Sequence, residues 1–250
     1  MIDIILHGCN GRMGRAVLAA VEEDSSSRIA AGIDAVEASF PFPAYTDIND
    51  CMESADVIID FSNIKAVPKL LDFARRRKIP LVLCTTGLCE EDMNAVKEAS
   101  KDVAILKSAN MSLGVNLLIN LVKKAAEVLY DSNFDIEIIE KHHNQKLDSP
   151  SGTAMAIADA INESLGNELE YIYDRSSLRE KRKKNHLGIH GVRGGTIVGE
   201  HDVIFAGKNE IIEISHSAMS REIFATGALK AAKFLSGKPA GFYTMNDVLL

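Results

Sequence analysis

Short apolar runs alternating with helix-like segments fill the first 110 residues, and this alternation limits the possible folds more than any other feature of the chain. Ile2–His7 is apolar, Gly8–Gly14 interrupts it, and Arg15–Glu23 has helical composition. Arg28–Ile33 and Asp56–Phe61 are two further apolar runs, the second centred on Val57-Ile58-Ile59. Ile64–Lys78 reads as a helix with Pro68 in its first turn, where a missing N–H is tolerated. Pro80–Cys84 and Val103–Lys107 read as strands on either side of a polar helix, Glu90–Ser100. Strands buried on both faces need continuous apolar runs of this kind. Strands separated by helices imply right-handed crossovers and a parallel sheet.

The pattern then changes. Leu113–Tyr130 is a long amphipathic helix. Phe134–Glu140 has a period of two, with Phe134, Ile136 and Ile138 on one side and Asp135, Glu137 and Ile139 on the other, which describes a half-exposed strand. Ala154–Leu165 is helical, and Leu187–Arg193, His201–Phe205 and Glu210–His216 are strand candidates. Asp174–Lys184 is polar and charged and reads as a long exposed loop. Arg221–Leu235 is a last helix, followed by an apolar tail. The expected fold class is α/β: a Rossmann-type parallel-sheet nucleotide-binding domain, followed by an α+β domain with an open mixed sheet.

Composition removes several function classes. The formal net charge of -7 argues against a general nucleic-acid binder, which needs a basic face. The basic run Arg179–Lys184 is short and interrupted, and reads as a solvated loop. No apolar run approaches a membrane span, and Ile2–Leu6 is too short for a signal peptide. The four cysteines, Cys9, Cys51, Cys84 and Cys89, form no CxxC pair, so reduced thiols are expected in a cytoplasmic protein.

The turn Gly8-Cys9-Asn10-Gly11-Arg12-Met13-Gly14 follows a strand and opens a helix, the context of a phosphate-binding turn. Its spacing is GxxGxxG, with Asn10 where the common fingerprint has its second glycine. Glycine lets the backbone approach a pyrophosphate, and the helix start offers free N–H groups. A plain tight turn is the alternative. Asp34 ends the second strand, where a carboxylate accepts bonds from the adenosine ribose hydroxyls. No Arg or Lys follows it closely to meet a 2′-phosphate, which favours NADH over NADPH. Cys84-Thr85-Thr86-Gly87 and Ser108-Ala109-Asn110-Met111 end two more strands, and ligands sit beyond such carboxyl ends. Cys84 has no base near it in sequence and reads as a buried filler.

The densest polar cluster is Glu140-Lys-His-His-Asn-Gln-Lys-Leu-Asp-Ser-Pro-Ser-Gly-Thr153. It sets His142, His143 and Lys146 beside a helix start at Ser151-Gly152-Thr153. Backbone N–H groups at such a start bind a carboxylate, lysine adds a point charge, and histidines carry protons near neutral pH. An exposed capped turn is the plainer alternative. Metal binding is disfavoured, because adjacent histidines on extended chain point apart and no third ligand has metal-like spacing.

Glu140 to Ala154 resembles the signature of the dihydrodipicolinate (4-hydroxy-tetrahydrodipicolinate) reductases, roughly E-x-H-H-x-x-K-x-D-x-P-S-G-T-A. Supporting segments include Asp60-Phe61-Ser62, Ser108–Ser112, Leu113–Asn116, Arg193–His201 and His216–Arg221. The resemblance implies an NADH- or NADPH-dependent oxidoreductase of diaminopimelate and lysine biosynthesis acting on a small dicarboxylate. It implies a nucleotide-binding domain, 1–111 with 220–250, and a substrate domain, 112–219, whose sheet builds a homotetramer. His142 and Lys146 become the proton-donating pair, and His143, Lys146, Gly152 and Thr153 the carboxylate holders. The cofactor contacts fall on Gly8–Met13, Asp34, Cys84–Thr86 and Ser108–Met111. The chain is short between Asp34 and Tyr45, where many relatives of that family are longer. The resemblance also implies the order of the reaction. The hydroxylated ring loses water, hydride adds at ring C4, and a proton is delivered at C3 without a metal. An aldehyde dehydrogenase acting through cysteine would need a thiol beyond Cys89, and a dinucleotide sensor would not need the His-His-Lys cluster.

Overall fold

The computed structural model describes residues 1–249. Its elements run β1 (Ile2–His7), α1 (Arg12–Glu22), β2 (Ser27–Ile33), β3 (Ala44–Tyr45), β4 (Val57–Asp60), α2 (Val67–Arg77), β5 (Leu81–Leu83), α3 (Glu90–Ala99) and β6 (Ala104–Lys107). There follow α4 (Leu113–Leu129), β7 (Asp135–His142), α5 (Gly152–Ser164), β8 (Glu170–Ile172), β9 (His186–Arg193), β10 (Gly199–Ala206) and β11 (Ile211–Ala218). The chain ends with α6 (Glu222–Leu235), β12 (Gly241–Tyr243) and α7 (Met245–Leu249). It divides into two compact units, Met1–Leu113 with Arg221–Leu250, and Gly114–Ser220.

The first unit is a seven-stranded sheet in the order β12-β6-β5-β4-β1-β2-β3, and every pairing is parallel. Side chains alternate across each strand, so the sheet carries a core on each face. Ile4, Leu6, Val57, Ile59 and Leu106 pack against α1 and α6. Ile5, Ile58, Leu81, Leu83 and Ile105 pack with Leu70, Phe73 and Ala74 of α2 and Val96 of α3. The inner face of α6 is small, with Ala225, Gly227, Ala228, Ala231 and Ala232 buried. A Cβ on Gly227 would stand 1.8 Å from the Met111 carbonyl oxygen, so the helix reaches the end of the β6 segment only because this position has no side chain.

The second unit is a five-stranded mixed sheet in the order β11-β10-β7-β9-β8. β7 is antiparallel to β10 and parallel to β9. One core gathers Leu118 and Val122 of α4, Ile157 and Ile161 of α5, and Ile136, Ile138, Ile189, Val203 and Phe205 of the sheet. The opposite side of β7 and β10 carries charge, with Lys141 paired to Glu200 at 3.1 Å and to Asp202 at 2.9 Å.

Five elements and one loop depart from the sequence reading. β3, β8 and β12 are two or three residues long, too short to show a period, and the apolar tail is β12 followed by α7. The segment 174–184 is a loop, but Arg182 does not lie in solvent. It bridges Asp135 at 2.8 Å and Glu137 at 2.9 Å, and its side chain is 17% exposed. The alternation of β7 also continues past Glu140, through a buried His142.

Candidate active site

In the first unit the glycine turn is built from close backbone approaches. Gly8 has φ +81°, and a Cβ on it would meet the Phe61 carbonyl oxygen at 2.7 Å. A Cβ on Gly14 would stand 2.1 Å from the Gly8 oxygen. α1 then starts with no side-chain cap and no acidic residue in its first turn, which leaves its leading N–H groups to an outside acceptor. The Asn10 N–H donates to Asp34 Oδ2 at 2.9 Å and the Val36 N–H to Asp34 Oδ1 at 3.1 Å, so one carboxylate ties the turn to the end of β2.

Three cavities adjoin this turn, and two of them bear on the residues chosen from the sequence. One, of about 540 Å³, is lined by Arg12, Met13, Phe61, Ser62, Cys84, Thr85, Thr86, Ser108, Ala109, Asn110, Met111 and Phe224. The strand-end residues chosen from the sequence therefore meet in one place. The other, of about 580 Å³, holds Cys9, Asp34, Glu37, Phe40, Tyr45 and Asp50 among its walls, and its charge is acidic.

Beneath the first cavity lies a polar network that the sequence did not reveal. Asp60 is fully buried. It accepts from His7 Nδ1 at 2.8 Å, Thr85 Oγ1 at 2.6 Å and Ser62 Oγ at 2.6 Å. Burial alone pushes the Asp60 carboxyl up, but these partners outweigh it and hold it below its ordinary range. Lys107 Nζ donates to the Thr85 oxygen at 2.8 Å, and burial pushes its ammonium down. The ends of β1, β4, β5 and β6 are thus joined by buried and part-buried hydrogen bonds. Burial pushes the Cys84 thiol well up, which suits a filler rather than a nucleophile.

In the second unit the period of two sets Glu140 and His142 on the buried face of β7, beyond Ile136 and Ile138. Glu140 is fully buried and carries four bonds. His142 Nδ1 donates at 2.6 Å, the Ser151 N–H at 3.0 Å, and Arg193 through both terminal nitrogens at 2.7 and 2.6 Å. Burial pushes the Glu140 carboxyl up, while Arg193, His142 and the Ser151 N–H pull it down further, for a net lowering. With its Nδ1 committed to Glu140, His142 has only Nε2 left for another partner. Gly199 packs against that ring, since a Cβ there would lie 3.0 Å from Nε2. His201 lies edge-on to His142, with ring centroids 5.3 Å apart.

Ser151 caps α5, its Oγ accepting from the Ala154 N–H at 3.1 Å and meeting His201 Nε2 at 3.0 Å. Glu140 therefore binds both the histidine and the residue that starts the helix. Gly152 is exposed at the first helical position, with nothing within 4 Å of where its Cβ would be. Lys146 meets Asp148 at 2.9 Å. His143 leaves the end of β7 and is only partly buried, while Thr153 lies in the first turn of α5. Glu140, Asp148, Arg193 and His201 lie in segments that resemble the family's, but the sequence alone gives them no role. The continued alternation of β7 would have put Glu140 beside His142, but nothing local points to Arg193, 53 residues away. No group of three or more potential metal ligands occurs among the described residues, and no described helix is long and apolar enough to cross a membrane.

A family model described as the N-terminus of dihydrodipicolinate reductase matches residues 2–111, and one for its C-terminus matches 114–249. A 4-hydroxy-tetrahydrodipicolinate reductase of Caldanaerobacter subterraneus subsp. tengcongensis is 57% identical, over 100% of this chain and 98% of that protein. One from Clostridium tetani is 50% identical, over 100% and 97%. The fold superposes on a dipicolinate-bound dihydrodipicolinate reductase from Paenisporosarcina sp. TG-14 with a TM-score of 0.84 at 21% identity, both chains fully covered. The chain belongs to the dihydrodipicolinate reductase family, oxidoreductases that use NAD(P)H.

Proposed function

We propose that the protein reduces the ring imine derived from 4-hydroxy-tetrahydrodipicolinate, in the cytoplasm, within diaminopimelate and lysine biosynthesis. The observation that carries this reading is the Glu140 hub, which ties a proton-carrying histidine to a helix start suited to a carboxylate. The first unit fits a dinucleotide through its side-chain-free turn, the uncapped start of α1 and the cavity at the strand ends. Arg12, Met13 and the Gly8–Gly11 backbone would hold the pyrophosphate. Thr85, Thr86 and Ser108–Met111 would line the nicotinamide side, and Asp34 the adenosine ribose.

Bound NAD(P)H supplies the hydride. The second unit does the rest. Gly152, Thr153, His143 and Lys146 hold the substrate carboxylates, and Lys146, assisted by His142, delivers the proton as negative charge develops on the ring. Lys146→Ala and His142→Ala should each lower kcat by about 100-fold or more, the usual scale of a lost general acid, with a smaller change in KM. Steady-state kinetics check this, and a variant with unchanged kcat removes that residue from the chemistry.

NADH is the preferred cofactor. Asp34, Glu37 and Asp50 make the adenosine-side cavity acidic, and a 2′-phosphate would be repelled there. Asp34→Ala should raise kcat/KM for NADPH relative to NADH. An unaltered ratio defeats the assignment.

The protein assembles as a homotetramer through the second unit. β11 leaves one edge of its sheet unpaired and exposes Ile211 and Ile212, and edges of this kind are normally covered. Sedimentation equilibrium should give about four times the 27.2 kDa chain mass, and a monomer would remove the proposal.

A further inference from the structure

The loop between β7 and α5 carries a carboxylate of its own beside the groups proposed to bind the substrate's. Lys146 Nζ lies 2.9 Å from Asp148 Oδ1. Lys146 is the main influence that holds the Asp148 carboxyl below its ordinary range, with the backbone N–H groups of Asp148 and Gly152 adding to it. An ammonium close to a helix start thus holds an internal anion, which is the arrangement expected for a bound substrate carboxylate.

The two partners differ in depth. The Lys146 side chain is 21% exposed and the Asp148 side chain 59%. The Asp148 backbone, in contrast, is fixed. Its carbonyl oxygen accepts from Arg193 Nη2 at 2.6 Å, and Arg193 is itself clamped to buried Glu140. The side chain can therefore rotate into solvent while the loop, Lys146 and the start of α5 stay in place. Solvent on one side makes that departure cheap, because a partly exposed ion pair is weak.

We propose that Asp148 is a resident competitor for the substrate carboxylate, engaging Lys146 between turnovers and rotating away as the dicarboxylate binds. This rests on the assignment of Lys146 and Ser151–Thr153 as the carboxylate site. The exchange replaces one anion by another, so the ammonium that donates the proton is never left without a counter-ion. It also sets a selectivity, since a ligand must offer a carboxylate able to displace one already present. Neutral rings of the same shape gain nothing from the site.

The test is binding of pyridine-2,6-dicarboxylate to the NADH-loaded protein, with kinetics alongside. Asp148→Asn, nearly isosteric, and Asp148→Ala should both tighten the dicarboxylate and lower KM by about two- to fivefold, the range of a partly exposed pair, without lowering kcat. A merely structural defect would weaken binding rather than improve it. In a crystal structure of the wild-type complex, the Lys146–Asp148 contact should be broken and a ligand carboxylate should stand in its place. Unchanged or weaker binding in both variants, or a retained Lys146–Asp148 contact in the complex, overturns the competitor role. If Lys146→Ala still weakens dicarboxylate binding, the site itself stands. Binding insensitive to Lys146→Ala overturns the site assignment, and the competitor role with it.

Discussion

A carboxylate buried without partners costs several kcal/mol, so Glu140 persists in the core of the second unit only because its neighbours satisfy it. The bidentate Arg193 contact neutralises its charge, and His142 and the Ser151 N–H occupy directions that Arg193 leaves open. His201 lies beside this group, edge-on to His142. Burial pushes it from 6.5 down to about 4, with His142 adding to the effect, and its Nδ1 has no hydrogen-bond partner among the described residues. The sign of the pH dependence follows. Between pH 6.5 and about 4 the unfolded chain holds a proton on this residue that the folded protein does not. Stability therefore falls as pH drops through that window, by about 3 kcal/mol in full. His201→Gln should flatten the decline of Tm over that range, relative to wild type, while lowering Tm at pH 7. Superimposable pH profiles would mean that His201 stays neutral for no energetic reason and that the carboxylates account for the acid sensitivity.

At the scale of elements, β7 and α5 meet through one capping serine, and the first helical position is open. A Cβ at Gly152 would meet nothing within 4 Å, and a glycine in a helix is itself unfavourable by roughly 0.5–1 kcal/mol. Gly152→Val should therefore leave Tm nearly unchanged while weakening pyridine-2,6-dicarboxylate at least tenfold, about 1.4 kcal/mol, and NADH binding should persist. Calorimetric titration separates these, and a variant that binds the inhibitor normally removes Gly152 from the site. The elements differ in how far they could be read from sequence. β1, β4 and β5 announce themselves as unbroken apolar runs because both faces of their sheet are covered. β3, β8 and β12 were missed because two or three residues hold no period and take their strand geometry from a neighbour. β7 was cut short at Glu140, since a charged residue on the buried side looks like the end of a strand until its partner is known. The same difficulty hid Asp60 and Arg193. Their partners are 53 residues away in the chain, His7 for one and Glu140 for the other, and only the folded register brings them together.

At the scale of the molecule, the second unit is continuous and owns its core, whereas the first is interrupted between Leu113 and Arg221. α6 supplies Ala225, Ala228, Leu229, Ala231, Ala232 and Leu235 to one face of the parallel sheet, and β12 adds its edge strand. This arrangement has a consequence during synthesis. When the first 113 residues leave the ribosome, the strands of their sheet can pair, but one apolar face has no cover until more than a hundred further residues have been made. The unit begun first is finished last, and the inserted unit has time to fold before it. A chain ending at Ser220 should then give, on limited proteolysis, a resistant fragment spanning roughly 114–220 and rapid loss of the earlier residues. Equal resistance of both halves would show that α6 is dispensable. A nascent chain of this design needs its exposed sheet face shielded for most of its translation, and a premature stop just short of residue 221 costs the cell the half it made first.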